Sequence, residues 1–309
     1  MRILITGVHG FVGTNLVAAL KNDSTIYGID IITHEKDGVV MTFSWDDLNA
    51  NNVPAVDAII HLAGKAHDTK NQTETDVYFR VNTGLTQKIY DYFLQSTAQK
   101  FIFFSTAKAA ADKVDGILTE DVVPSPKGPY GESKIKAEKY IQSHLSDEKQ
   151  VYILRPCMIH GPGNKGNLNL LYNFVKKGVP WPLGAFDNRR TFTSIDNICF
   201  VINGLLTKDV PSGIYNMGDD EALSTNELIG IICQSLNKKA HIWKISKSFV
   251  TKCANIGTKL HLPLNNERLR KLTENYVSSN EKIKTALGVG KMPVAARDGL
   301  NKTLNSFKI

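Results

Sequence analysis

A tyrosine and a lysine stand four positions apart in the segment PYGESK, as Tyr130 and Lys134. On a helix, residues at positions i and i+4 lie on the same face. A neighbouring ammonium group favours the phenolate, so Lys134 would lower the pKa of Tyr130 from its ordinary value of about 10. A phenol tuned in this way can serve as a general base near neutral pH. The same spacing occurs on many solvated helices, so the pair is a catalytic candidate only where other residues converge on it.

Two hydroxyl residues, Ser105 and Thr106, follow the apolar run in FFSTAK, which is typical of a buried strand. Open parallel sheets bind ligands at the carboxyl ends of their strands. These hydroxyls are therefore expected to meet the phenol and the ammonium group at one edge of the sheet. In isolation, a Ser-Thr pair would more simply cap the end of a strand. His61 in the segment HLAG is better explained as a core histidine than as a catalytic one.

A glycine-rich loop, GVHGFVG, lies between the first predicted strand and the first predicted helix, and supplies Gly7, Gly10 and Gly13. Glycines at these places allow a tight turn, close approach of backbone to a pyrophosphate and close helix packing. The helix N-terminus that follows favours phosphate groups. Asp30 ends the second predicted strand, where an acid binds the ribose hydroxyls and repels a 2′-phosphate. The pattern predicts NAD rather than NADP, although Asp30 could also be an ordinary turn residue.

The first half of the chain alternates short apolar runs with amphipathic stretches, which predicts an α/β fold with a parallel sheet covered on both faces. We expect a Rossmann-type doubly wound sheet with a smaller, mixed C-terminal substrate domain. The predicted dinucleotide domain covers residues 1–162, with a returning segment at about 188–208. The predicted substrate domain covers mainly residues 163–309.

Composition restricts the possible partners. The 309 residues carry a formal net charge of +7, but the basic residues are scattered, as on a solvated surface. This argues against a nucleic-acid partner and leaves a mild attraction for an anionic small molecule. No apolar run reaches the roughly 20 residues that span a bilayer, and no signal peptide is evident. We expect a cytoplasmic protein with no membrane partner. The cysteines form no metal-ligand pattern, so no metal is predicted; they are Cys157, Cys199, Cys233 and Cys253.

Taken in order along the chain, these segments resemble those of the extended short-chain dehydrogenase/reductases. Within them, the chain most resembles the NAD-dependent epimerase/dehydratase group that is similar to UDP-glucose 4-epimerase. This resemblance extends over essentially the whole chain. The motifs that carry it are the glycine loop, Asp30, HLAG, VNTG, FFSTAK, PYGESK, LRPCMIHGPG and RRTFTSIDN.

The resemblance implies a role for each matching residue. Thr106, with Ser105 beside it, would hydrogen-bond the substrate oxygen at the reacting carbon. Tyr130 would act as general base or acid, and Lys134 would hold the nicotinamide ribose and lower the pKa of Tyr130. Asn82 would support the active-site helix. The full set of implied coenzyme contacts is Gly7, Gly10, Phe11, Val12, Gly13, Asp30, Ile31, Leu62, Ala63, Gly64, Asn82, Tyr130, Lys134, Pro156 and Ile159.

The resemblance also implies a site for a nucleoside diphosphate sugar. Asn167 and Leu168 match positions that contact the diphosphate and base, and Arg190 matches an arginine on the diphosphate. Either Arg270 or Lys271 would supply a second cation. The turn STAKAAAD departs from the common pattern of the family and brings Lys108 to the sugar side of the site.

The predicted function is an NAD-dependent nucleotide-sugar 4-epimerase that acts on a UDP-hexose or UDP-N-acetylhexosamine by transient oxidation at carbon 4. One alternative is an NAD(P)H-dependent 4-ketoreductase of a UDP-4-keto-6-deoxy-N-acetylhexosamine in surface polysaccharide synthesis. A second alternative is a non-catalytic NAD-sensing regulator, because a fold does not fix a function. The resemblance further suggests a homodimer formed through the helix that carries Tyr130.

Overall fold

The computed structural model describes residues 1–50, 52–66, 74–260, 262 and 264–308. Its main sheet is parallel and has the strand order β10-β7-β5-β4-β1-β2-β3. Two small parallel sheets, β8-β9 and β6-β11, lie outside it. The strands in chain order are β1 (Arg2–Thr6), β2 (Thr25–Ile29), β3 (Met41–Phe43), β4 (Ala58–His61), β5 (Lys100–Phe104), β6 (Ile117–Leu118), β7 (Gln150–Pro156), β8 (Met158–His160), β9 (Phe192–Ser194), β10 (Gly213–Met217) and β11 (Val277–Ser278).

Helices lie in the connections between strands of the main sheet, as is usual for parallel pairing, except between β2 and β3, which are joined by residues 30–40 without a helix. A π-helical segment, Phe79–Gly84, joins α3 to α4. No helix in the described ranges has the length and apolar character needed to cross a bilayer. The helices are α1 (Phe11–Leu20), α2 (Trp45–Asn49), α3 (Thr75–Tyr78), α4 (Leu85–Gln95), α5 (Ala107–Ala110), α6 (Pro129–Ser143), α7 (Asn167–Lys176), α8 (Ile195–Thr207), α9 (Thr225–Ser235), α10 (Lys247–Lys259), α11 (Asn266–Thr273), α12 (Glu281–Leu287) and α13 (Ala296–Ser306).

The main sheet is apolar on both faces. Its strands are runs of consecutive apolar residues, and successive side chains of a strand point to opposite sides. On β1, Ile3 and Ile5 pack into a core shared with α1 and α8. Leu4, between them, packs into a second core with Ile89 of α4 and Ile141 of α6. The predicted doubly wound α/β fold is confirmed. The strand order reverses between β1 and β4, and such a switch point is where open α/β sheets bind ligands.

The C-terminal half of the chain contributes to two bodies. A separate core brings together Tyr172 of α7, Ile232 of α9 and Leu300 of α13. Strand β10, however, pairs with β7 in the main sheet, and α12 packs against it. The body built on the main sheet therefore includes residues beyond the predicted returning segment of 188–208.

Candidate active site

In the glycine loop, the backbone lies in direct contact with the backbone of neighbouring segments. Gly7 has φ +72°, a conformation that side chains with a Cβ rarely adopt. A Cβ on Gly13 would lie 2.4 Å from the carbonyl oxygen of Gly7, and one on Gly7 would lie 2.9 Å from the backbone nitrogen of Ala63. Only glycines can therefore hold α1 this close to the ends of β1 and β4.

The N-terminus of α1 has the character of an anion site. Gly10 occupies the N-cap without a side-chain hydrogen bond, and the first turn contains no acidic residue. The N–H groups of Phe11, Val12 and Gly13 therefore begin the helix with its positive dipole end unneutralised. A pyrophosphate fits this arrangement. The ring of Phe11 itself lies against Gly161, so Phe11 also ties the loop to the segment after β8.

Asp30 stands at the carboxyl end of β2, at the rim of the glycine loop. Its carboxylate accepts hydrogen bonds from the backbone N–H of His9 at 3.0 Å and of Ile31 at 2.7 Å. Each oxygen has further lone pairs, so the carboxylate can still accept bonds from ribose hydroxyls. The side chain of Ile31, next to Asp30, is 87% exposed, and its contact with the coenzyme stays a prediction.

We expect Asp30→Asn to weaken NAD binding and to reduce the preference over NADP, each by roughly tenfold, because a hydrogen bond to a charged group is worth about 1.5–3 kcal/mol. Fluorescence titration with both coenzymes measures this. Asp37→Asn is the control, because Asp37 pairs with Lys21 on the surface. An unchanged ratio of the NAD and NADP dissociation constants in Asp30→Asn would contradict the assigned role.

The segment after β4 brings backbone close to α6. Ala63 donates its N–H to the hydroxyl of Thr6 at 3.1 Å. A Cβ on Gly64 would lie 3.0 Å from the side-chain oxygen of Asn82 and 3.2 Å from Nζ of Lys134. Leu62, half-buried, packs against the first core. Gly64 thus lets the backbone pass close to the lysine ammonium group, where a Cβ would crowd Lys134 and Asn82.

Asn82 fastens this segment to α6. Its side chain accepts from the N–H of Lys65 at 2.7 Å and donates to the carbonyl of Lys65 at 3.1 Å and to the hydroxyl of Ser133 at 2.9 Å. Because Ser133 precedes Lys134, these bonds fix the active-site helix against the loop. Asn82 is therefore a positioning residue in the structure.

His61 is a core histidine, as the sequence indicated. Its ring nitrogens are hydrogen-bonded to the hydroxyls of Thr6 at 2.6 Å and Thr86 at 2.9 Å. Burial lowers the pKa of His61 well below its usual range. The ring is therefore neutral and has no free nitrogen for proton transfer.

Thr106 and Tyr130 meet at the carboxyl end of β5. Thr106 is buried and forms the N-cap of α5, where its hydroxyl accepts the N–H of Lys108 at 3.3 Å. Tyr130 lies in the first turn of α6, with its ring edge-on to that of Tyr78. Removal from water raises the pKa of Tyr130, and hydrogen bonding with Thr106 opposes the rise. The two hydroxyls thus share one environment at the sheet edge.

Lys134 is buried beneath this pair. Its Nζ donates to the carbonyl oxygen of Phe104 at 2.8 Å and lies 4.8 Å from the ring centre of Phe103. Burial lowers the pKa of Lys134 to about 8. The expected depression of the pKa of Tyr130 by Lys134 is not found in the protein alone. Burial disfavours the charged forms of both groups, and the effect that opposes the rise at Tyr130 comes from Thr106 rather than from Lys134.

The shift of Lys134 predicts a pH-dependent contribution to stability. Between pH 8 and 10.5 the unfolded chain holds a proton on this lysine that the native protein has released. Native stability therefore rises with pH across this window, by at most about 1.4 kcal/mol per unit. The difference in unfolding free energy, wild type minus Lys134→Met, should increase over the same range in urea titrations. A difference that stays constant or falls would contradict this burial effect.

Ser105 takes no part in the pair, contrary to its prediction as catalytic. Its hydroxyl donates to the carboxylate of Glu138, which also binds Arg155 through contacts of 2.6 to 3.1 Å. Glu138 and Arg155 are 0% and 1% exposed. Ser105 and Thr106 point different ways, because adjacent residues of an extended chain alternate in direction. Ser105 thus anchors β5 to α6 and β7.

The segment after β7 passes the same edge of the sheet. Pro156 is buried at the end of β7, and Ile159, half-buried on β8, packs against the first core. Burial raises the pKa of the Cys157 thiol, between them, to about 12. The thiol is therefore protonated and unreactive at neutral pH.

A cluster of charged side chains lies on the far side of Thr106. Lys108 contacts Asp112 at 3.3 Å and Glu274 at 3.9 Å. Arg270 donates to Asp112 at 2.9 Å, and Arg190 lies 3.7 Å from Glu274. Three cations and two acids thus form one network, which we call the cation cluster.

Of the two candidates for the second cation, Arg270 and Lys271, only Arg270 places its charged group in the cation cluster. Arg270 belongs to it, whereas the ammonium group of Lys271 pairs with Glu267 at 2.6 Å. Only the carbonyl of Lys271 reaches the cluster, as an acceptor for Arg190. The acids Asp112 and Glu274 were missed, although each follows a basic cluster member by four residues.

The two predicted contacts at the start of α7 are not equivalent. Asn167 is exposed in the first turn of the helix. The side chain of Leu168 is buried in the third core, with Tyr172 and Trp181. Leu168 could therefore reach a substrate only through its backbone.

Comparison with known proteins identifies the family. The model of the NAD dependent epimerase/dehydratase family matches residues 3–218. A UDP-glucose 4-epimerase of Vibrio cholerae is 31% identical over 255 residues, which cover 76% of each chain. An N-acetyl-alpha-D-glucosaminyl-diphospho-ditrans,octacis-undecaprenol 4-epimerase of Escherichia coli O157:H7 is 28% identical, covering 77% of this chain and 73% of its own.

Solved structures share the fold. A UDP-glucuronic acid 4-epimerase from Bacillus cereus, in complex with NAD, superposes with a TM-score of 0.77 over 100% of this chain and 99% of its own, at 22% identity. MoeE5, in complex with UDP-glucuronic acid and NAD, gives 0.78 over the same shares, at 21% identity. The family predicted from the motifs is confirmed. The predictions that the protein is an enzyme and that its coenzyme is NAD are confirmed with it. With its glycine loop, Asp30 and the Thr106–Tyr130–Lys134 edge, the chain belongs to the NAD dependent epimerase/dehydratase family.

Proposed function

We propose that this enzyme is a nucleotide-sugar 4-epimerase acting on a UDP-linked hexose or N-acetylhexosamine. The observation that carries the proposal is that Thr106, Tyr130 and Lys134 lie together at the carboxyl end of β5, close to the backbone of Gly64. A phenol, a hydroxyl and an ammonium group at one sheet edge suit the removal of a proton from a sugar hydroxyl.

The chain's residues handle the proton of the carbon 4 hydroxyl. Tyr130 takes that proton through its phenol oxygen and later returns it, while the hydroxyl of Thr106 holds the sugar oxygen. NAD, when bound, supplies hydride acceptance and return at the same carbon. Lys134 is the cation that the chain itself offers to favour the phenolate of Tyr130, and it is charged below about pH 8.

We assign the diphosphate to the cation cluster. A guanidinium group binds phosphate oxygens through a planar fork of donors, so Arg190 and Arg270 suit this role. Asp112 and Glu274 hold these side chains in place through ion pairs. The substrate's phosphates would then compete with carboxylates for the same cations.

This assignment predicts a change in binding rather than in chemistry. Arg190→Gln should raise KM by roughly 30-fold, with kcat changed by less than about threefold, because the lost contact is equal in ground and transition states. Steady-state kinetics measure both constants. The control is Arg189→Gln, since Arg189 pairs with Glu227 on the surface. An unchanged KM in Arg190→Gln would place the diphosphate elsewhere.

The proposed function can be tested without added reductant. Purified protein, supplied with NAD, is incubated with UDP-glucose and separately with UDP-N-acetylglucosamine, and the products are followed by NMR. We expect the carbon 4 epimer of one or both, with no net change in NADH absorbance. Net oxidation of NADH by a UDP-4-keto-6-deoxy sugar, without epimerisation of either substrate, would instead establish a ketoreductase. The homodimer and the cytoplasmic location remain predictions.

A further inference from the structure

Helix α10 presents an apolar face that nothing in the described chain covers. Its inner face is buried through Val250, Ala254 and Gly257. Phe249, Ile256 and Leu260 are instead 61%, 56% and 63% exposed. Single exposed apolar residues are ordinary, but a contiguous set marks an interaction site. The flanking segments add further exposed apolar side chains, namely Trp243, Leu262 and Leu264.

The exposed residues form one stripe. At 100° per residue, positions 249, 256 and 260 fall within about 40° of each other around the helix axis. Leu262 folds back onto the same end of α10, because its N–H donates to the carbonyl of Gly257 at 2.8 Å. We call the stripe and its flanking residues the α10 face.

The segment that carries the α10 face is rich in positive charge. Residues 228–266 contain six lysines and neither aspartate nor glutamate. On α10, Lys252 and Lys259 border the stripe on its solvent side, and neither forms an ion pair within the described residues. The six lysines are Lys238, Lys239, Lys244, Lys247, Lys252 and Lys259.

We propose that the α10 face binds the surface of an anionic phospholipid membrane. An amphipathic helix with large apolar residues on one face and lysines beside them lies in the plane of a bilayer interface. The exposed Trp243 is of the type enriched at that interface. A second copy of the chain fits less well, because a two-fold contact would bring the same lysines together. This proposal departs from the prediction that the protein has no membrane partner, and it is independent of the proposed function.

Such docking would orient the catalytic body. Helix α11 packs directly on α10, with Asn266 bonded to Thr258 at 3.0 Å and to Asn255 at 2.7 Å. The same helix carries Arg270 of the cation cluster. A protein bound through the α10 face would therefore fix the orientation of α11, and with it of Arg270, relative to the lipid surface.

Vesicle sedimentation of the full-length protein tests the proposal. With vesicles of equal parts phosphatidylglycerol and phosphatidylcholine at low salt, the protein should sediment with the lipid. Replacing Phe249, Ile256 and Leu260 together by alanine should weaken partitioning by roughly 100-fold. Lys252→Gln with Lys259→Gln should weaken it by roughly 30-fold, and high salt should act in the same direction.

Matched variants distinguish binding through the α10 face from non-specific adsorption through other exposed apolar residues. Val40, Val123 and Leu145, also exposed, are replaced together by alanine and should leave partitioning unchanged. All affected residues are exposed, so the variants should keep the wild-type unfolding midpoint. Absence of sedimentation, or equal binding to pure phosphatidylcholine vesicles, would overturn the proposal. So would a dimer in analytical ultracentrifugation that the α10 triple variant converts to monomer, because the face would then be a contact between copies.

Discussion

Tyr130→Phe is expected to lower kcat by about 10²- to 10⁴-fold, the usual range for loss of a general acid–base group. Phenylalanine keeps the ring and its edge-on contact with Tyr78 but removes the oxygen that exchanges the proton. The glycine loop and Asp30 are untouched, so NAD should bind with nearly unchanged affinity. Single-turnover kinetics and coenzyme titration measure the two effects separately.

Tyr140→Phe is the matched control for this change. Tyr140 lies on the same helix α6, and its hydroxyl donates to Asp91 at 2.6 Å on the side away from the sheet edge. Its loss should change kcat by less than about threefold, because a surface hydrogen bond affects stability rather than chemistry. A wild-type rate in Tyr130→Phe would mean that another group exchanges the proton.

Arg155→Met is expected to destabilise the native protein by about 3–5 kcal/mol, because it leaves the carboxylate of Glu138 buried without its charge partner. Neither side chain of this pair has contact with water to offset the loss. Urea denaturation measures the effect as a lower midpoint with an unchanged slope. The double variant Arg155→Met with Glu138→Gln should recover part of the stability, since the carboxylate that lost its guanidinium partner is then neutral.

A surface ion pair provides the comparison. Arg2 lies 3.5 Å from Asp57, with both side chains about half exposed. Arg2→Gln should cost less than about 1 kcal/mol, as exposed pairs do. If Arg155→Met cost no more than Arg2→Gln, the Glu138–Arg155 contact would not be the support of β5 and α6 that its burial indicates.

Local sequence signals predicted the coenzyme half of the fold well. The strands are near-continuous apolar runs, and the glycine loop follows the first of them directly, so periodicity and position were enough. Strand β10 was not predicted, because the run GIYNM is short and includes a polar residue, Asn216, which is buried and donates to the carbonyl of Leu118 in the folded chain. Its assignment depends on a partner strand more than fifty residues away.

Side-chain direction limited the prediction of the site. The spacing of Tyr130 and Lys134 and the hydroxyl of Thr106 could be read from sequence. Ser105 could not be separated from Thr106 without knowing that Glu138 and Arg155 are buried beside it. Likewise, Asp112 and Arg270 are 158 residues apart, so their contact depends on the folded chain.

The pKa of Tyr130 shows the same limit for electrostatics. The four-residue spacing between Tyr130 and Lys134 predicted a lowered pKa for Tyr130, as a charge pair in water would give. Burial acts on both groups and raises the pKa of Tyr130 instead. Sequence spacing reports proximity but not exposure, and exposure decides the direction of the shift here.

The most direct test follows the hydrogen on carbon 4. UDP-glucose or UDP-N-acetylglucosamine labelled with deuterium at carbon 4 is incubated with the enzyme in ordinary water, and the epimer is analysed by mass spectrometry and NMR. We predict that the product keeps the deuterium at carbon 4, because the hydrogen leaves and returns within one closed site. A product with ordinary hydrogen at that carbon, or no epimer with either substrate, would contradict the assignment.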